Sequence, residues 1–78
     1  MAVVRFFAGA KAAVGVSQEV IDGATVKEVM DLAQQKFPQL KAVLTKCSVL
    51  VNETSCQDYA QNVSDSDVID VLPPFAGG

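Results

Sequence analysis

The residues best suited to chemistry in this 78-residue chain are its last six, Pro73-Pro74-Phe75-Ala76-Gly77-Gly78. Proline cannot donate to a sheet ladder and favours an extended path. The pair should therefore carry the chain straight away from the strand before it. Phe75 is one large apolar side chain with no core left to enter, and Ala76, Gly77 and Gly78 have almost no side chains. A segment of that shape fits a narrow tunnel. It offers a backbone carboxylate, unobstructed at the α-carbon, to the active site of another protein. The blander reading is a frayed end of the kind any domain has.

Other chemistries are poorly supplied. The chain has no His, which removes the usual general base and the commonest metal ligand together. Its two cysteines, Cys47 and Cys56, cannot build a zinc site without other soft ligands. They are expected to be a small core residue and a surface thiol, respectively. No bound metal or cofactor is expected. The net charge is -3 and no basic stripe exists, so nucleic acid is not an expected partner. No stretch reaches the roughly 20 apolar residues that span a membrane. The apolar start is interrupted by Arg5 and Lys11 and has no basic region before it, so it does not read as a signal peptide. The expected location is the cytoplasm. There, the glycosylation patterns at Asn52 and Asn62 carry no meaning.

The elements that would position the tail can be read from periodicity. Residues 2–8, AVVRFFA, form a strand candidate. Alternation places Ala2, Val4 and Phe6 on one face and Val3, Arg5 and Phe7 on the other. Arg5 marks the wetter face, so Val4 and Phe6 are predicted core and Phe7 is left outside. Residues 9–15 suit one or two helical turns stopped by Gly15. Residues 16–22 suit a second strand, antiparallel to the first. Thr25 and Glu28 form a capping box. Val26, Val29, Met30, Ala33 and Phe37 then recur on one helical face. Pro38 bars continuation, so the main helix spans 25–37. Leu40, Val43 and Leu44 suggest a further helical turn over the sheet edge. Residues 47–52 read as a buried strand, 53–63 as irregular with one short strand, and 64–67 as a turn. In the last strand, 68–72, Ile69 and Val71 share the core face. Val68, Asp70 and Leu72 share the outer one, with Asp70 marking solvent.

Only one helix is long enough to cover a sheet face. The expected fold is α+β, a β-grasp or ubiquitin-like domain. It would have a mixed sheet of four to five strands, the first and last as central neighbours, and one main helix on one face. The expected organisation is a domain over 1–72 and an extended tail over 73–78.

LPPFAGG at the end, VRFFAGAKAAVG at the start and the capped helix TVKEVMDLA resemble the MoaD/ThiS sulfur-carrier family over the full length. The likeness is closest to the branch that serves as the small subunit of molybdopterin synthase. The resemblance implies a mechanism. A ubiquitin-activating-like adenylyltransferase would use ATP to adenylate the Gly78 carboxylate, and a sulfur donor would convert it to a thiocarboxylate. The synthase large subunit would then accept the tail and pass its sulfur to molybdopterin. The domain itself would be a cosubstrate rather than a catalyst. The resemblance also puts a partner patch on Phe7, Leu72 and Phe75. Ser55 departs from the family, which often has an apolar residue there. Three alternatives stay open: a carrier for thiamine, cysteine or thiolation pathways, a ubiquitin-like modifier, and a plain interaction domain.

Overall fold

The computed structural model describes residues 2–72. Strand β1 (Ala2–Phe6) shows the predicted alternation, with Ala2, Val4 and Phe6 buried and Val3 and Arg5 half-buried. It lies between β2 (Gln18–Ile21), antiparallel to it, and β5 (Val68–Leu72), parallel to it. Strand β3 (Ser48–Val51) pairs antiparallel with the far side of β5, and β4 (Thr54–Ser55) extends the sheet from β3. The order β2-β1-β5-β3-β4 is a mixed five-stranded sheet with the first and last strands adjacent inside it, the β-grasp layout expected from the sequence.

One face of this sheet carries the core. Val4, Phe6, Ile69 and Val71 pack in one cluster with Val29, Met30 and Ala33, and Phe37 closes it from the margin. The main helix α2 (Val26–Lys36) lies on this face. Two short helices share it: α1 (Ala8–Val14) buries Ala10 and α3 (Leu40–Leu44) buries Leu40. Helix α3 packs on α1 and α2, where the sequence had suggested a cover for the sheet edge.

Local chemistry fixes the ends of these elements. The strand expected over 2–8 stops at Phe6. The Phe7 N–H still donates to the Val71 carbonyl at 3.2 Å, but the Phe7 carbonyl already accepts from Ala10 and Lys11 as the start of α1. Helix α1 ends as predicted at Gly15, which takes a left-handed φ of 83° and donates its N–H to Lys11. At the start of α2, Thr25 Oγ1 accepts from the Glu28 N–H at 3.2 Å, and Glu28 Oε1 accepts from the Ala24 N–H at 2.8 Å. Glu28 thus closes on the residue before the cap rather than on the cap itself. The irregular segment 56–63 completes the job, because the Val26 and Lys27 N–H groups donate to the carbonyls of Gln61 and Tyr59. A helix start leaves orphan donors that need such partners.

The β3–β4 connection is a two-residue turn. Val51 pairs with Thr54, and both Asn52 and Glu53 have positive φ, 51° and 70°. That is the conformation whose twist suits a tight hairpin. The Asn52 side chain then accepts from the Val68 N–H and donates to Asp67, tying the turn to the start of β5.

Asp70 corrects the sequence reading. Expected at the solvated outer surface, it is only 6% exposed. The outer face of an inner strand is shielded by its neighbours. Arg5 of β1 and Leu50 of β3 sit at the same level as Asp70 on either side.

Candidate functional site: the outer sheet face

Two of the predicted patch residues, Phe7 and Leu72, fall on the sheet face opposite the helices. Arg5 and Asp70 are register partners in the parallel pair β1–β5. Arg5 Nε donates to Asp70 Oδ1 at 2.6 Å and Nη2 donates to Oδ2 at 2.8 Å, a two-pronged ion pair. Such pairing adds direction as well as energy. The Asp70 hydrogen bonds and charge raise the Arg5 pKa still further. The guanidinium carbon also lies 5.7 Å from the centre of the Phe7 ring, within cation–π range.

Phe7 and Leu72 are brought together. Each follows a directly paired residue, Phe6 and Val71, so both stand at the same end of the β1–β5 pair and on the outer face. Phe7 is 37% exposed and Leu72 half-buried. Leu72 is flanked on its other side by Ser48. Ser55 is exposed on β4, opposite Leu50. The other predicted site residues, Phe75, Ala76, Gly77 and Gly78, lie outside the described residues.

Sequence reading missed Arg5 and Asp70 as members of this surface and used each only as a marker of solvent. A signal was present. Arg5 precedes Phe7 by two residues and Asp70 precedes Leu72 by two. If the two strands are parallel neighbours, the charges pair at one level and the apolar residues at the next.

The cysteines take no part in this surface. Cys47 Sγ donates to the Val43 carbonyl at 3.1 Å and Cys56 Sγ to the Asp58 carbonyl at 3.4 Å. Both are half-buried against the core, so Cys56 is not the surface thiol expected. Burial pushes both thiols up, away from the reactive thiolate. Among the described residues there is no group of three metal-ligating side chains, and no helix is long and apolar enough to cross a membrane. The donors at the start of α2 are spent on Tyr59, Gln61 and Thr25, which leaves no phosphate cradle there.

Known proteins resemble the chain along its whole length. The model of the ThiS family matches residues 4–78. The molybdopterin synthase sulfur carrier subunit of Aedes aegypti is 39% identical over 46 residues, a match covering 56% of this chain and 47% of the relative, about half its length. The solution structure of small archaeal modifier protein 1 from Methanosarcina acetivorans superposes with a TM-score of 0.88 at 26% identity, covering 99% of this chain and 95% of that one. A protein–protein complex of subunits 1 and 2 of the molybdopterin-converting factor from Helicobacter pylori contains a chain that superposes with a TM-score of 0.79. That chain is 30% identical, with 99% of this chain and 97% of the other covered.

Proposed function

The chain belongs to the ThiS family of sulfur carriers, and from that premise we propose that it serves molybdenum cofactor synthesis as the sulfur-carrying small subunit of molybdopterin synthase. The observation that carries this reading is the extent of the family match, which includes both the β-grasp core and the terminal Gly77-Gly78. The likeness to the insect sulfur carrier subunit and to the H. pylori complex supports the choice of pathway.

In this reading the reactive group is the Gly78 carboxylate. A free carboxylate is a poor electrophile. A ubiquitin-activating-like adenylyltransferase joins it to the AMP portion of ATP and releases pyrophosphate. Sulfide-level sulfur released by a donor then attacks the acyl carbon, the bond from that carbon to the AMP oxygen breaks, AMP departs, and a thiocarboxylate remains. Its sulfur is a nucleophile on a backbone end, so neither cysteine is needed. The large subunit of the synthase receives the tail and supplies the catalytic residues. Phe7, Leu72 and Phe75 form the apolar patch that docks on these partners, and Ala76 and Gly77 pass through the tunnel. The domain binds no cofactor of its own, and ATP is consumed by the activating enzyme. This reading assigns the work to the cytoplasm.

The experiment is deletion of Gly78 alongside the full chain, with activating enzyme and a sulfur source. The intact mass should show one sulfur replacing one oxygen in the full chain only. Circular dichroism should be the same for both. Deletion withdraws the carboxylate by about 3.3–3.6 Å, and a misplacement of about 1 Å can cost a hundredfold in rate. If the shortened chain supports product synthesis at the normal rate, the tail is not the reactive end.

A second reading is favoured by the likeness to small archaeal modifier protein 1, that of a protein modifier joined through Gly78 to lysines. High-mass conjugates in the same experiment, absent from the shortened chain, would support it.

A further inference from the structure

We propose that the outer sheet face reads a carboxylate side chain on the docked large subunit of the synthase, and that Arg5, oriented by Asp70, is the residue that reads it. This rests on the carrier reading above and deepens it by stating what the partner must present.

A guanidinium has five donors in a rigid fork. In Arg5 the Nε and Nη2 groups are committed to the two oxygens of Asp70, and Nη1 has no hydrogen-bond partner among the described residues. The side chain is still 40% exposed, whereas that of Asp70 is 8% exposed. Asp70 and the neighbouring Phe7 ring thus fix the fork while one edge of it stays open. A fork held in advance gives up little freedom when it takes one more acceptor.

The side of approach follows from charge. Two clefts flank Arg5. One is lined by Asn52, Glu53 and Val68, and Glu53 lies close enough to act on the Arg5 charge. An incoming anion is repelled there. The other, about 350 Å³, runs past Phe7 to Lys11 and Gln18 and has two cations and no acid in its lining. Asp70 largely neutralises Arg5, so Lys11 supplies the net positive field and Arg5 the geometry. Phe7 borders the same cleft, so one docking event would cover an apolar side chain and bring a carboxylate to the fork.

The test is binding of purified synthase large subunit to three versions of the full chain: unaltered, Phe7→Ala, and the double variant Arg5→Met/Asp70→Leu. Removing both members of the pair avoids leaving Asp70 buried alone, and such replacements are often neutral for stability. Circular dichroism checks the fold. The double variant should bind at least about tenfold more weakly, as expected of an arginine anchor. If the double variant binds like the unaltered chain while Phe7→Ala is weak, the inference is overturned and the docking reading stands. If neither variant matters, this face is not the interface and both fall. If the unaltered chain does not bind the large subunit at all, the molybdopterin synthase reading fails and the inference with it. Should the double variant not fold, Arg5→Lys, which keeps the charge but lacks the fork, replaces it with the same expected loss.

Discussion

The ring of Phe6 meets that of Phe37 edge-on, with centroids 5.9 Å apart and planes at 78°. The contact joins the middle of the sheet to the residue that ends α2. Edge-to-face pairs add about 0.5–1.5 kcal/mol beyond their buried area. Phe6 is buried and Phe37 half-buried, so Phe6→Ala should cost about 3–5 kcal/mol and Phe37→Ala less. Urea unfolding of both variants gives the ranking. The reverse order would mean that the core is centred on the helix end rather than on β1.

Gly23 lies where the chain enters α2. A β-carbon built there would come within 2.8 Å of Val29 Cγ2 and 2.9 Å of the Val29 backbone nitrogen. The second contact is with helix backbone, which does not yield as a side-chain tip does. Gly23→Ala should therefore destabilise by about 1–3 kcal/mol, as overpacking does. An unchanged melting temperature would show that the entry loop relaxes freely.

Glu53 holds a left-handed φ of 70° at the second position of the hairpin turn. That conformation is costly with a β-carbon and free without one. Glu53→Gly should stabilise the protein by about 1 kcal/mol, because Asn-Gly is the sequence such turns prefer. Chemical denaturation measures the change. A loss of stability would mean that the Glu53 side chain makes a contact worth more than the strain.

Asp67 ties the turn before β5 to Asn52. Its carboxylate accepts from the Asn52 amide at 2.9 Å and from the Ser64 N–H at 2.8 Å, and these bonds lower its pKa. The ionised form is thus favoured in the folded chain. Its contribution is full above the unfolded value, about 3.9, and is lost as the pH falls through the lower folded value. Asp67→Asn should flatten the fall of melting temperature below about pH 4. Parallel acid limbs for the two proteins would assign acid unfolding to other carboxylates.

Legibility in the sequence varied with the distance over which the cause acts. Alternation in β1, the cap at Thr25 and the stop at Gly15 depend on near neighbours, and the structure agrees with each. The adjacency of first and last strands followed from the Val-rich pattern and held as well. What failed depended on distant partners. A charge in a strand usually marks solvent, but Asp70 is covered by a residue 65 positions away. Cys56 looked exposed within a polar segment, yet its N–H pairs with Val49 and its side chain packs on the core. The Asn52-Glu53 turn was hidden because its second residue is not the glycine that announces such a turn. Phe7 and Leu72 were identified as outer-face residues by alternation alone, whereas their shared level required the register.

Among the described residues, strand β5 is the only link between the two halves of the sheet, since β1 and β3 both pair with it and not with each other. Without it the sheet falls into two pairs of strands, and isolated pairs are marginal in water. Its pairing with β1 spans most of the sequence, and contacts of that range form slowly because a long loop must close first. The capped helix can organise early on local contacts, but the centre of the sheet is completed late. The strand completed late is also the one bonded to Pro73, and Phe7 and Leu72 reach a common level only when it docks. A surface that needs both residues at that level therefore exists only on chains whose β5 has docked.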